Sequence, residues 1–449
     1  MNDSNRWCDV AEITAADRAH ILHPWAVQRT RDPFVVTNGR GCFFWGPDGQ
    51  KYLDLYSQAV NVNAGHQNPK VIAAIKEQLE TICFVESSFV NVPAAQLAAL
   101  LANVAPGDLT KAFFTTGGGE AIEHAIRIAR AFTGKQKVIT RYRSYHGGSY
   151  AAIAVSGDPR RPPAESSVSG VVRVFSPFRY RCAFCKNLSA CSMECAEHVR
   201  ETIIYENPNT VAAILLEPVT GSSGVVIPPA GYLKRIREIC DEFEILLIAD
   251  EVYAGFGRTG RWFSIEHWNV IPDLMVLGKG INSGAVPLGA VLVSRRLSEF
   301  FEDRMLWSGL TNFGHAIACA AGIGAMTAYA EEGLIDNARS MGQVLKDELE
   351  RFATRYEAVA DVRSIGLLAC LELVKNRETR EPLVAWGETT SSAVMDEFAN
   401  FCKEQGVYVR TRWGLVFVAP PLCITKDELN MGLAVVDEGL ARLQKSLES

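Results

Sequence analysis

No stretch of the chain approaches the ~20 consecutive apolar residues that a membrane-spanning helix needs, so a membrane partner is not expected. Nor is there a surplus of positive charge. Lysine and arginine total 45 against 51 aspartates and glutamates, a net charge of −6. A basic face for nucleic acid is therefore not implied. The opening MNDSNRWCDVAEITAADRAH lacks the basic and apolar blocks of a secretion signal. Repeats and low-complexity linkers are missing too. Hydrophobic residues make up 48% and charged residues 21%, which excludes an intrinsically disordered chain. At 449 residues the chain is too long for one compact core, so two or three packed domains are expected.

Cysteine is not scarce: there are twelve. Eight are scattered in apolar surroundings, such as Cys8, Cys83, Cys240 and Cys319. They read as buried free thiols, which fits a reducing cytoplasm. The other four are Cys182, Cys185, Cys191 and Cys195, spaced C-x2-C-x5-C-x3-C. Four thiolates so close are candidate ligands for a structural zinc ion or an iron–sulfur cluster. A short loop of free thiols, or a redox-sensitive pair, is the alternative.

Local patterns place the elements. Asp48-Gly49 between two aromatic and apolar runs signals a hairpin. NPKVIAAIKEQLE (68–80) has helical periodicity, with Asn68 as cap and Pro69 at the first position. From about 95 to 300, helical stretches alternate with short apolar runs: KAFFTT (111–116), KVITRY (137–142), AAILLEP (212–218), ILLIADEV (245–252), DLMVLGK (273–279) and GAVLVS (289–294). Such runs suit strands buried on both faces of a mostly parallel sheet, joined by crossover helices. Residues 314–333 form a long small-residue helix, and the tail from about 335 alternates helix and strand. The expected organisation is an N-terminal segment (1–66), a large α/β domain (67–334) and a smaller α+β domain (335–449) that also takes in the N-terminal strands.

Ligands of an open parallel sheet bind at the carboxyl ends of its strands. After FFTT come Gly117, Gly118 and Gly119, opening a helix. Adjacent glycines there offer amides to an anion, though a flexible turn reads the same way. After KVITRY comes Arg143-Ser144-Tyr145-His146, with an aromatic able to stack on a planar ligand or simply to join the core. After ILLIA comes Asp250, costly to bury without a cationic partner. After DLMVLG comes Lys279. A desolvated lysine has a lowered pKa and attacks carbonyls; a snorkelling strand-end lysine is the bland reading. Together these supply a phosphate cradle, a stacking aromatic, an acid and an amine on one rim, the parts that pyridoxal 5'-phosphate (PLP) requires.

The motifs resemble the class III aminotransferases of PLP fold type I over essentially the whole chain. They are GGGEAIEHAIRIAR (117–130), YHG (145–147), LLEPVTGSSGVVIPPAGYLKRIREIC (215–240), DEVYAGFGRTGRWF (250–263), PDLMVLGKGINSGAVPLGAV (272–291), LTNFGHAIACA (310–320) and APPLCIT (419–425). The resemblance implies that Lys279 carries PLP as a Schiff base and shuttles a proton, and that Asp250 pairs with the pyridine nitrogen. It places Val252 and Tyr145 on the two ring faces, with His146 beside them, and Gly118 and Gly119 at the phosphate. Glu217 sits in the family's EPV motif. Thr311 would reach the phosphate from the neighbouring subunit, so a homodimer is the minimal unit and a tetramer remains open. A catalytically silent relative acting as a binding protein is disfavoured by the joint presence of Lys279, Asp250 and Thr311.

Departures from the family bear on substrate. Ornithine and 4-aminobutyrate enzymes carry an arginine where this chain has Gly148, and ornithine-type enzymes another where it has Phe417. Arg410 matches the flexible arginine of the ω-amino-acid:pyruvate enzymes, with Arg412 as its rival. HPWAVQ (23–28), SQAVNVNAGHQNPKV (57–71), YRSYHGGSYAAIAVSGDPRR (142–161) and HWNVIPDL (267–274) look most like taurine aminotransferases. A sulfonate would then meet Arg160, with Arg161 as alternative, and the indole N–H of Trp25. The acceptor would be 2-oxoglutarate or pyruvate. β-Alanine, 4-aminobutyrate or a diamine are the competing donors. Arg160 and Arg161 also suit a solvated surface pair.

Overall fold

The computed structural model describes residues 9–31, 34–185, 191–388 and 392–448. Cys8 lies outside them.

Six apolar runs become strands of one seven-stranded sheet. Across it the order is Leu109–Thr115, Gly289–Ser294, Leu274–Leu277, Leu246–Asp250, Val211–Leu216, Lys137–Arg141 and Val171–Val174. The last five run parallel, and Gly289–Ser294 runs antiparallel to both its neighbours. Every residue of Val211–Leu216 and Leu246–Asp250 is buried, as helices on both faces require. Val171–Val174 has no matching run in the sequence analysis. It is an edge strand whose first three residues are only half-buried, so its apolar signal is weak.

One expected crossover helix is missing. Between Leu246–Asp250 and Leu274–Leu277 stands only the short 3-10 turn Ser264–Trp268. A compact loop replaces the helix, built on buried polar groups. Glu251 accepts from the Ser264 and Ile265 amides and from the Ser264 hydroxyl.

Small residues in the Ala316–Glu331 helix have a packing cause. A Cβ on Gly324 would stand 2.8 Å from the Lys70 carbonyl, and one on Gly322 2.6 Å from Leu97 Cδ2. The helix thus lies hard against Pro69–Thr81 and Val92–Val104. Asn68 caps the former through the Lys70 amide, as its sequence suggests.

The terminal segments meet. Strands Asn38–Arg40, Phe43–Trp45 and Lys51–Asp54 form a sheet that ends on Val407–Tyr408, and a second C-terminal sheet holds Val359–Ser364, Ala369–Asn376, Leu415–Val418 and Arg410–Arg412. No helix among the described residues is long and apolar enough to cross a membrane.

The turn Ser57–Val60 winds left-handed, with φ of 46°, 45°, 67° and 57° at four successive non-glycine residues. Each such residue costs roughly 1–2 kcal/mol, so the turn must be held from outside. Asp54, fully buried, accepts from the Tyr56 and Gln58 amides at 3.0 Å each and meets His66 Nε2 at 3.0 Å. Arg258, also fully buried, donates to Ser57 Oγ at 3.1 Å, Asn63 Oδ1 at 2.7 Å and the Leu367 carbonyl at 3.1 Å. It thereby ties the large sheet's loop to both terminal segments. Asp54→Ala removes the buried acceptor of two amides and the partner of His66, and is expected to cost about 3 kcal/mol in denaturant unfolding, with Asp54→Asn recovering part of the loss.

Candidate active site

Five chain segments deliver the rim residues to one cavity of about 400 Å³. Gly117, Gly118 and Gly119 follow Leu109–Thr115, and Tyr145 and His146 follow Lys137–Arg141. Glu217 follows Val211–Leu216, Asp250 ends its own strand, and Lys279 follows Leu274–Leu277. Val252 lines the same space.

Lys279 has φ 44°, a left-handed conformation for a non-glycine residue, which marks an over-determined site. The neighbouring turn is fixed by Tyr329 Oη donating to the Gly280 carbonyl at 2.6 Å. Burial pushes the Lys279 amine below the ordinary lysine range, while Asp250 and Glu217 pull it back up. A buried amine poised between these effects is a nucleophile and a proton carrier.

Asp250 is buried, and its Oδ1 accepts from the Val252 amide at 3.0 Å. Its Oδ2 lies 2.7 Å from His146 Nδ1. When Nδ1 carries the proton it donates to Asp250, so His146 orients the carboxylate. Glu217 accepts from the Tyr145 amide at 3.0 Å and the Gly221 amide at 2.8 Å. Burial pushes its carboxyl upward and Asp250 adds to the rise, against His146 and those two amides. Glu217 thus buttresses the turn bearing Tyr145.

The Gly118–Thr133 helix opens toward the cavity without a side-chain cap. Its first amides have no partner within the helix. A Cβ on Gly118 would stand 3.0 Å from the Val252 side chain, and one on Gly119 3.0 Å from Ser149 Oγ. That hydroxyl is buried with no hydrogen-bond partner. Uncapped amides, a bare backbone and an orphaned hydroxyl fit a phosphate group.

A second cavity of about 600 Å³ opens beside the first and shares Tyr145, Ser222, Tyr253 and Lys279 with it. Trp25, Arg160, Arg410, Arg412 and Phe417 line this mouth. Arg160 is not a free clamp. Its Nε and Nη2 donate to the fully buried Asp158 at 2.7 and 3.0 Å, and Arg412 Nη2 reaches the same carboxylate at 3.1 Å. The Arg160 guanidinium lies 3.9 Å from the Tyr145 ring centre and 4.7 Å from that of Trp25. Burial alone would raise the Asp158 carboxyl, but the two arginines outweigh it and hold it below the ordinary range. Arg161 instead pairs with Glu165 and faces another cavity. A Cβ on Gly148 would meet Trp25 and the Tyr145 hydroxyl at 3.4 and 3.5 Å, so the glycine leaves the indole room at the mouth.

Thr311 lies exposed before the Ala316–Glu331 helix and lines neither cavity. Tyr253 and Ser222 escaped the sequence analysis although both cavities share them. Lys279 Nζ stands 5.2 Å from the Tyr253 ring centre, and the Tyr253 hydroxyl meets that of Tyr56 at 3.3 Å. Tyr253 follows Val252 in the DEVYAG stretch, the one signal that pointed to it.

The cysteine expectations need correction. Among the described residues no group of three or more His, Cys, Asp or Glu side chains is arranged to hold a metal ion, so zinc on Cys182, Cys185, Cys191 and Cys195 is not supported. Three of the four remain partly or fully exposed, and Cys185 Sγ faces the Ser192 hydroxyl at 3.8 Å. Cys83 is exposed rather than buried, in the turn after Pro69–Thr81.

Comparison with known proteins agrees with this geometry. The family model for class-III aminotransferases matches residues 25–440. A taurine–pyruvate aminotransferase of Rhodobacter capsulatus is 33% identical, covering 97% of this chain and 98% of its own. An omega-aminotransferase of Caulobacter vibrioides is 34% identical over 89% of this chain and 92% of its own. The solved taurine:2-oxoglutarate aminotransferase of Bifidobacterium kashiwanohense, in complex with PLP and glutamate, superposes with a TM-score of 0.93 at 36% identity, covering 97% of this chain and 98% of that one. With a strand-end lysine, a buried acid and a glycine cradle on one sheet rim, the chain belongs to the class-III aminotransferases of PLP fold type I.

Proposed function

We propose that this enzyme takes its amino group from a small ω-amino sulfonate of the taurine type and delivers it to pyruvate or 2-oxoglutarate. The observation that carries this reading is the Arg160–Asp158–Arg412 cluster. Two guanidiniums share one buried carboxylate, so the cluster holds one positive charge in excess and an anionic donor completes it. Trp25 and Tyr145 flank Arg160 and present apolar surface to a short carbon chain. Arg410, exposed on the same mouth, serves the α-carboxylate of the keto acid.

The first cavity would hold PLP. Gly118, Gly119 and Ser149 would hold its phosphate, Tyr145 and Val252 would flank the ring, and Asp250, steadied by His146, would serve the ring nitrogen. Bound there, the cofactor supplies the carbonyl that takes the amino group and the ring that takes up the electron pair released at the donor carbon. Lys279 Nζ would take the proton from that carbon and return it, across the intervening nitrogen, to the carbon that had been the cofactor's carbonyl. Half-reactions alternate, giving ping-pong kinetics. The working unit is a homodimer in which Thr311 serves the neighbouring subunit's phosphate site. All eleven described cysteines are free, which suits a reducing compartment such as the cytoplasm.

The test mixes holoenzyme separately with taurine, β-alanine, 4-aminobutyrate and putrescine and follows the visible cofactor band. Taurine is expected to bleach it fastest. Arg160→Ala is expected to lower kcat/KM for taurine roughly tenfold or more, the worth of a charged hydrogen bond. An inert taurine beside a reactive diamine would end the sulfonate reading while leaving the transamination chemistry intact.

A further inference from the structure

Behind the substrate mouth lies a separate cavity of about 420 Å³, within the size range of small-molecule sites. Its lining sets four aromatic rings, Tyr142, Phe175, Phe178 and Trp386, beside three arginines, Arg143, Arg161 and Arg181. Pro159 and Gly387 separate it from the mouth and line both spaces.

Arg143 enters this cavity. It sits at φ 64°, in the left-handed region, and its amide donates to the Gly157 carbonyl at 3.1 Å. Arg143 opens the same turn that carries Tyr145. Its guanidinium, though, lies 4.1 Å from the Trp386 ring centre and 5.2 Å from that of Phe178. Among the described residues it makes no ion pair and donates no side-chain hydrogen bond, whereas its arginine neighbours are all paired. Arg161 and Arg173 share Glu165, Arg181 holds Glu372, and Arg363 holds Asp361 and Glu372. Among the described residues, the ion pairs of Arg181 and Arg363 take up two carboxylates, Asp361 and Glu372, and Arg143 shares in neither.

Two further donors there lack acceptors. Ser176, more than nine-tenths buried, lines the cavity and its hydroxyl has no partner. Arg181 Nη2 is likewise buried and unpaired. Burial pushes the Arg143 guanidinium down to about 10, with Glu372 opposing and Arg181 and Arg363 adding, as a site short of negative charge requires. A half-buried cation held on aromatic rings without a counter-ion, set beside two buried unsatisfied donors and strained backbone, reads as a ligand site.

We propose that this cavity binds a small carboxylate carried on a flat apolar body, an arylcarboxylate, with Arg143 meeting the carboxylate and the aromatic walls meeting the ring. A planar guanidinium pairs with a carboxylate through two parallel N–H donors and keeps its face on Trp386 meanwhile. The site lies outside the transamination centre. Because Arg143 and Tyr145 share a turn, and Pro159 and Gly387 a wall, its occupant bears on the substrate mouth from behind.

The experiment titrates PLP-loaded enzyme with benzoate, following tryptophan fluorescence and calorimetric heat, with benzamide and inorganic phosphate as controls. Saturable benzoate binding is expected, at least about tenfold weaker for uncharged benzamide and for Arg143→Gln. Phosphate, lacking the ring, is expected to bind more weakly than benzoate. Arg143→Lys, which keeps the charge and loses the planar fork, should fall between wild type and Arg143→Gln. Trp386→Phe should abolish most of the fluorescence change while benzoate heat persists; this variant reports on the site even if Arg143→Gln fails to fold. Benzoate affinity unchanged in Arg143→Gln, or lost in Arg412→Gln alone, places the ligand in the mouth and overturns the proposal. Absence of saturable binding overturns it equally.

Discussion

Replacing Lys279 with alanine is expected to lower turnover by ~10³–10⁴-fold or more, because in the proposed mechanism one side chain both holds the cofactor and moves the proton. Lys279 is the amine common to the cofactor cavity and the substrate mouth. Alanine leaves the glycine cradle, Asp250 and the Tyr145 turn in place, so noncovalent cofactor binding should persist. Lys279→Arg should not rescue turnover, since a guanidinium does not give up its proton near neutral pH. Two measurements check this. Borohydride reduction of the wild-type holoenzyme followed by peptide mapping should find the cofactor mass on the peptide containing Lys279. Steady-state rates of both variants should fall together. A residual rate within tenfold of wild type would remove Lys279 from its assigned role.

The rim residues were legible because of how parallel sheets bury their strands. Strands covered on both faces read as unbroken apolar runs, and the first polar residue past each run lies on the ligand-binding edge. Asp250 and Lys279 stand out for that reason. Arg258 was less legible, since nothing local says that a loop arginine is fully buried and donates to carbonyl, hydroxyl and amide oxygens. The left-handed turn Ser57–Val60 was hidden altogether. Glycine is the usual sign of positive φ, and this turn has none. Its stability comes from Asp54 and Arg258, one close in sequence and one some two hundred residues away. Arg160 was found as a cation near the site, but its pairing with Asp158 was not read from GDPRR, where the two stand two positions apart. That pairing changes the chemistry from a free clamp to a shared charge. The cysteines mislead in the opposite direction. Their spacing is suggestive, yet spacing does not set where the sulfurs point, and no metal-holding group forms among the described residues.

Asp250→Asn is the second substitution expected to act strongly, lowering kcat by ~10²–10³-fold, the usual loss when one preorganised charge is removed from a buried site. An amide keeps the shape of the carboxylate and can still accept from the Val252 amide, so the fold should survive. It cannot hold a positive charge on a ring nitrogen, and the ring then draws electrons less well. His146 sharpens the argument. Its Nδ1 lies 2.7 Å from Asp250 Oδ2, and its Nε2 faces the Thr140 hydroxyl at 3.5 Å. The carboxylate is therefore fixed from behind and does not have to reorient as charge develops. His146→Asn should reproduce part of the loss, and Asp250→Asn with His146→Asn should fall short of the sum, because both act through one carboxylate. A pH profile separates this from a merely structural defect. Burial lowers the Lys279 amine and Asp250 raises it again. Removing the Asp250 charge leaves burial less opposed, so the amine loses its proton at lower pH. The rising limb of the rate profile, where Lys279 becomes neutral and competent to take a proton, should then move to lower pH as kcat falls. A limb that stays in place, or moves to higher pH, would show that Asp250 does not act on Lys279 through its charge.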